Sequence, residues 1–341
     1  MDPQPSPPAR VRDYRRGIET KGRDQVWQKL WHFNEKCPAY PTRTFAIRHD
    51  MNFAGVELGG TKCVALIARG PKEVLAREVV ATTTPDATLG AIENVLREWW
   101  ASFGFASLGI ASFGPIDINS ASPTHGHMLA TTKPGWAGAD VGPRLRAAAG
   151  VPMAIDTDVN GAALAEMRWG AGRGFDDFAY VTVGTGVGVG LIVGGKPTRG
   201  FGHCELGHIR VARLPGDDWP GSCTFHGDCV EGLASGTALK ARFGDDLVDL
   251  APDHPVWDCV AGTLAQLCHA IVSAAAPWRI AIGGGVIDRQ PHLIGQIQSK
   301  LLESLGGYVR LPADGDYVRV PELGSNAGPL GAIALAMNAR P

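Results

Sequence analysis

The sequence predicts an α/β protein of two lobes with a ligand cleft between them, and three observations carry that expectation. Strand and helix patterns alternate from Asn52 almost to the end of the chain. Each half contains a strand, a glycine turn and a second strand, with Gly59-Gly60-Thr61 in the first and Gly184-Thr185-Gly186 in the second. At 341 residues the chain is long enough for two hydrophobic cores.

The elements follow in order. Strands are expected over 53–57, 63–68 and 74–82, then a helix over 89–103 whose apolar positions recur at three and four residues. A strand over 108–113 ends in Gly114-Pro115, and a polar connection carries Thr131-Thr132-Lys133-Pro134-Gly135-Trp136. Trp136, after a Lys-Pro-Gly turn, is read as a pocket wall. A helix over 140–149 closed by Gly150, a strand over 151–156 and a helix over 159–169 complete the first half. The second half has strands over 179–183 and 189–193, helices over 232–242 and 256–276, and a buried strand over 279–282 ending in Gly283-Gly284-Gly285. Helices over 291–305 and 329–339 close the chain. The expected lobes are 51–170 with 330–341, and 171–329.

Residues 1–50 are Pro-rich and basic, with one short amphipathic stretch over 25–33 and no second helix for a helix-turn-helix. Met51 precedes the first strong strand, so this arm is expected to be dispensable. The arm holds ten Lys/Arg against six Asp/Glu, which leaves a slightly acidic body without the electrostatic footprint of a nucleic-acid binder. No signal peptide and no apolar run of membrane-spanning length is apparent, so a cytoplasmic protein without a membrane partner is expected. Seven cysteines are an odd number for a disulfide framework. Cys37, Cys63, Cys204, Cys259 and Cys268 read as small core residues. His125 and His127 read as exposed loop residues.

Four constellations carry chemistry. In Glu57-Leu58-Gly59-Gly60-Thr61-Lys62 the two glycines lack Cβ atoms that would keep an anion from the backbone N–H groups, Thr61 adds a hydroxyl and Lys62 a charge. The stretch suits a phosphate, or else a plain hairpin turn. It is neither a Walker A loop nor a dinucleotide fingerprint, since it feeds a strand. Asp156-Thr157-Asp158 lies where a strand ends and a helix begins. A carboxylate there can accept a proton from an attacking hydroxyl, or can cap the helix. Glu205-Leu206-Gly207-His208 sets a carboxylate and an imidazole three residues apart, able to hydrogen-bond sugar hydroxyls. His208 with Cys223, His226 and Cys229 supplies the four N/S ligands of a closed structural zinc site.

Together these motifs, with Glu231-Gly232-Leu233-Ala234-Ser235-Gly236 and Ile282-Gly283-Gly284-Gly285-Val286, resemble the ROK family (repressor, open reading frame, kinase), most closely its zinc-containing bacterial fructokinase branch. The resemblance spans about residues 53–337 and implies an actin-like, ribonuclease H-like two-lobed sugar kinase using MgATP. It implies phosphate contacts at Gly59, Gly60, Thr61 and Lys62 and at Gly184, Thr185 and Gly186, with Gly283, Gly284 and Gly285 on the adenosine side. Asp158 matches the catalytic base. Gly114, Thr157, Glu205, His208 and Glu231 match sugar-side positions, and His208, Cys223, His226 and Cys229 the structural zinc loop. Glu57 stands where many glucokinases of the family carry aspartate. Thr157 replaces the sugar-contacting asparagine of the glucokinase and mannokinase branches, which favours fructose over glucose. The resemblance also implies a homodimer. The alternatives are a kinase for mannose, glucose or an N-acetylhexosamine, and a sugar-responsive repressor.

Overall fold

The computed structural model describes residues 51–244, 250–312 and 315–340, so the arm over 1–50, with its amphipathic stretch and Cys37, lies outside the described residues. The first sheet holds β1 (Phe53–Leu58), β2 (Lys62–Gly70), β3 (Glu73–Ala81), β4 (Leu108–Ser112) and β5 (Met153–Thr157) in the order β3-β2-β1-β4-β5. The first three strands are antiparallel, and β4 and β5 run parallel to β1. The second sheet holds β6 (Phe178–Val183), β7 (Val187–Val193), β8 (Lys196–Pro197), β9 (Ile280–Gly283) and β10 (Val318–Arg319) in the order β10-β9-β6-β7-β8. Counted from its other edge it repeats the first sheet strand for strand. The duplication expected from two hairpins therefore extends to two whole sheets.

The helices between them are α1 (Pro85–Phe103), α2 (Val141–Ala149), α3 (Asp158–Trp169), α4 (Val230–Ala234), α5 (Gly236–Phe243), α6 (Val256–Ala275), α7 (Gly285–Arg289), α8 (Leu293–Leu305) and α9 (Ala327–Asn338). Helix α1 starts four residues before its apolar stripe, because Thr84 caps it and Pro85 takes the first turn, where its missing N–H costs nothing. It buries Leu89, Ile92, Leu96 and Trp99 on the first core. The helix expected over 232–242 is instead two. Ser235 is extended, and its Oγ accepts from Ala238 N at 3.1 Å to start α5. Helix α6 corrects the expectation about apolar runs: its 20 residues are long and apolar enough to cross a membrane. Its Val260, Leu264, Leu267 and Ile271 are all buried in the second core, the position of a core helix.

Two helices cross between the sheets. Helix α3 leaves the first sheet but packs on β6 and β7 of the second, so closely that a Cβ on Gly190 would sit 2.1 Å from the Val159 carbonyl oxygen. Helix α9 leaves the second sheet but packs on β1 and β4 of the first, where a Cβ on Gly109 would sit 1.9 Å from the Ala332 carbonyl oxygen. Where α3 and α9 meet, Gly331 lies against Gly161.

Trp136 is not a pocket wall. Its side chain is fully buried in the first core, edge-on to Phe113, and its Nε1 donates to the Thr83 carbonyl at 2.9 Å. Cys63 and Cys268 are core residues as expected, whereas Cys204 and Cys259 are half-buried; the six described cysteines are free thiols. His125 and His127 are half-buried rather than exposed.

Candidate active site

The β5–α3 junction separates the roles that the sequence leaves open for its two aspartates. Neither caps the helix. Thr157 does, its Oγ1 accepting from Asn160 N at 3.2 Å. Asp156 is fully buried and bound on three sides, by its neighbouring Thr157 N–H, by Asn160 Nδ2 at 2.8 Å and by the Arg199 guanidinium. Asp158 is half-buried and lines the cleft. Its Oδ1 accepts from Val159 N at 2.9 Å, and its own backbone N–H also faces the carboxylate. Burial, reinforced by the Glu205 charge, raises its pKa to about 6 despite the backbone N–H groups it faces. Glu57, at the end of β1, is raised to about 7 by burial and by Asp158.

The first glycine turn joins β1 to β2. Gly60 lines the cleft, whereas Gly59, Thr61 and Lys62 are not among its walls, and Lys62 already pairs with Ala81 as the first residue of β2. The second turn joins β6 to β7, and Gly184, Thr185 and Gly186 all line the cleft; Val187 and Gly188, expected in the turn, belong to β7. Gly186 is fixed by its neighbour: a Cβ there would meet Glu231 Oε2 at 2.4 Å, and the same carboxylate accepts from Val187 N at 3.1 Å. Gly283, Gly284 and Gly285 lie outside the cleft walls. Gly284, at φ 96°, backs onto the carbonyl of Val183, the residue before the second turn.

Glu205 is exposed, and its Oε1 lies 3.2 Å from His203 Nδ1. The other ring nitrogen of His203 accepts the Ile116 N–H at 3.2 Å, so the neutral ring carries its proton on Nδ1, toward Glu205. Burial opposes a charge on this ring, whose side chain is 6% exposed, but the Glu205 carboxylate holds its pKa above the ordinary imidazole value. His203 also packs beside Gly114, reaching from the second half of the chain to the floor of the first. His208 ends a short 3-10 turn, Leu206–His208, that packs against β7.

His208, Cys223, His226 and Cys229 converge, their ligand atoms all within 4.8 Å of one another. His208 Nδ1 lies 3.6 Å from both sulfurs, and His226 Nδ1 lies 3.6 Å from Cys223 Sγ. Burial pushes the Cys229 thiol up to about 11. Cys229 also caps α4, whose second residue is Glu231. The cluster is thus tied to the second glycine turn through two residues of helix.

A cleft of about 820 Å³ gathers Gly60, Gly114, Thr157 and Asp158 from the first half with Gly184–Gly186, Glu205, His208 and Glu231 from the second. Cys223 and His226 reach its wall, while Cys229 is buried behind them. Sequence reasoning missed His203, two residues before Glu205, although a histidine beside an acidic loop residue was a readable signal. It also missed Arg199, Thr82 and Thr237, whose partners are distant in sequence. Chemically, the cleft offers a carboxylate held only by backbone N–H groups, two N–H-bearing turns, and further carboxylates and imidazole.

Comparison with known proteins gives the same picture over the same residues. A family model described as the ROK family matches residues 53–339. A fructokinase of Zymomonas mobilis is 39% identical over 299 residues, covering 86% of this chain and 99% of its own. A fructokinase of Pediococcus pentosaceus is 37% identical over 289 residues, covering 85% and 99%. Among solved structures, a ROK family glucokinase from Streptomyces griseus, in complex with glucose and AMPPNP, superposes with a TM-score of 0.65 at 26% identity, covering 84% of this chain and all of that one.

Proposed function

This chain belongs to the ROK family and has its actin-like, two-lobed fold, and from that premise we propose that it is a hexose kinase transferring the γ-phosphoryl group of ATP to the 6-hydroxyl of fructose. The observation that carries the reading is Asp158: a carboxylate in the wall of the cleft that Gly60 and Gly184–Gly186 also line, hydrogen-bonded by backbone N–H and by no side chain among the described residues. A pKa of about 6 leaves it ionised yet appreciably basic at neutral pH, as a general base requires. In the proposed reaction Asp158 accepts the proton of the sugar's primary hydroxyl as that oxygen attacks phosphorus in line and ADP leaves. The N–H groups of the two turns receive charge that develops on the phosphate oxygens. Magnesium arrives as part of the MgATP substrate, where it offsets phosphate charge. Glu57, with a raised pKa and no hydrogen-bond donor among the described residues, is the carboxylate suited to face it. Gly114, Thr157, Glu205, His208 and Glu231 form the sugar side, and Gly283–Gly285 the adenosine side. The lobes are 51–170 with 330–341, and 171–329, a division supported by the two sheets and by α9 packing on β1 and β4.

The test is coupled ADP release by the full chain over fructose, mannose, glucose and N-acetylmannosamine. The highest kcat/KM is expected on fructose. Faster turnover of another hexose reassigns the substrate, and no ADP release with any sugar removes the kinase reading.

The His/Cys cluster is proposed to hold a structural zinc ion. Zn–N and Zn–S bonds of about 2.0 and 2.3 Å in a tetrahedron place the two ligand atoms about 3.5 Å apart, close to the 3.6 Å between the cluster's nitrogens and sulfurs. With four protein ligands no position is left for substrate, so the ion would hold the loop that carries Glu231. One zinc per chain is expected by elemental analysis. A strong chelator should lower the melting temperature and raise the KM for sugar more than it lowers kcat. Purified active protein without zinc would remove this assignment.

A further inference from the structure

The two glycine turns share a hydrogen-bonding plan that their sequences do not announce. In the first, the Gly59 carbonyl accepts Thr82 Oγ1 at 2.7 Å, the Thr61 carbonyl accepts Thr82 N at 3.0 Å, and the Gly60 carbonyl accepts Lys133 Nζ. In the second, the Gly184 carbonyl accepts Gly236 N at 2.7 Å, the Thr185 carbonyl accepts Thr237 Oγ1 at 2.7 Å and, more weakly, Thr237 N at 3.4 Å, and the Gly186 carbonyl accepts Gly184 N at 2.9 Å. Among the described residues no acceptor meets the N–H of Gly60, Thr61, Thr185 or Gly186. In a trans peptide the C=O and N–H point in opposite directions. Tying back the carbonyls of Gly59, Gly60, Gly184 and Thr185 therefore aims those four N–H groups the other way. Each turn is an anion cradle held from behind.

The tether on Gly60 is the one that local structure would not supply. Nothing lies within 4 Å of where its Cβ would be, so packing does not hold this peptide. Lys133 reaches it across 73 residues from a loop whose own anchor is Trp136, fully buried and bonded to Thr83. Lys133 is half-buried and is not itself a wall of the cleft. We propose that Lys133 is a positioning residue for the triphosphate: by holding the Gly60 carbonyl it keeps the Thr61 N–H aimed at a phosphate oxygen, and Thr237 does the same for Gly186. The proposal rests on the kinase reading above and adds two residues to it.

The test is calorimetric binding to the full chain of AMPPNP, adenosine and fructose, separately. Lys133→Met keeps the apolar stem and removes the donor. It should weaken AMPPNP by about five- to twentyfold while adenosine and fructose stay within about twofold. Lys133→Arg, which keeps a donor, should recover most of the loss. Thr237→Val removes no charge and should give the same pattern, which separates a tether from simple attraction between lysine and phosphate. An amide resonance of Thr61 displaced in Lys133→Met and restored in Lys133→Arg would support the same conclusion. AMPPNP affinity unchanged in Lys133→Met and in Thr237→Val overturns the proposal, as does an equal loss for adenosine. If Lys133→Met does not fold, Thr237→Val decides it on the same readings. Wild-type protein that binds neither AMPPNP nor ATP overturns the kinase reading and this one with it, whereas wild-type binding with indifferent variants overturns this one alone.

Discussion

At the scale of single residues, Asp158 is where function and stability pull apart. Its carboxylate is partly desolvated and its pKa stands at about 6, against 3.8 for an aspartate in water. The folded state therefore binds this proton more tightly than the unfolded chain does. Stability contributed by the group is present at low pH and is lost as pH rises from about 4 through about 6. Asp158→Asn should consequently lower kcat by about 10²–10⁴-fold and yet raise the stability of the ligand-free protein. The gain should be on the order of 1–3 kcal/mol above pH 6, reduced by solvent screening of a half-buried group, and should vanish near pH 4. Denaturant melts at pH 4 and pH 7.5 check this, and a variant equally stable with wild type at both would remove the strain. Activity of the wild type should fall on the acid side with an apparent pKa near 6, since the base must be ionised. A kcat/KM profile flat from pH 5 to 8 would contradict it. The sequence made two aspartates visible but not their roles, because a threonine between them competes for the cap. The roles of Lys133 and Thr82 were hidden for a different reason: each acts on a backbone group far away in the chain, and no local pattern encodes that.

At the scale of elements, the strand and helix periodicities were legible wherever the apolar face was long. Two errors fell where a polar side chain decides the boundary, at Thr84 before α1 and at Ser235 between α4 and α5. The two-residue strands β8 and β10 were too short to carry any period, so the matching of the sheets could be foreseen only at their hairpins. The second hairpin shows how tightly such an element is fitted to its site. A methyl group on Gly186 would meet the Glu231 carboxylate at 2.4 Å and displace it from Val187 N. Gly186→Ala should therefore raise the KM for ATP about tenfold or more while leaving the fold intact, because the side chain that must move is one flexible carboxylate at the cleft. Steady-state kinetics with a circular dichroism melt test both halves of that statement. Unchanged KM would mean that Glu231 does not brace the turn.

At the scale of the whole molecule, each sheet sends out a helix that packs on the other sheet, and the two helices touch through glycine. Helix α3 begins at Asp158, and α9 lies across β1 and β4, so their crossing links the carboxylate to both sheets. Nothing in the sequence revealed this exchange, because α3 and α9 each follow their own sheet in order and the partner of a helix face is not written in its period. The crossing depends on backbones in contact: a Cβ on Gly331 would lie 2.4 Å from the Gly161 carbonyl carbon. That neighbour is backbone within a helix and cannot turn aside. Gly331→Ala gains helix propensity of about 1 kcal/mol but must push two helices apart in a close-packed interior, at a cost of about 1–3 kcal/mol or more. The overpacking wins, and the variant should unfold at lower denaturant and lose activity as Asp158 shifts. Gly295→Ala is the matched control, since Gly295 sits exposed in α8 with nothing within 4 Å of its Cβ position. It should stabilise by about 0.5–1 kcal/mol. If the two alanine variants move the midpoint in the same direction, the glycine contact does not hold the crossed helices together.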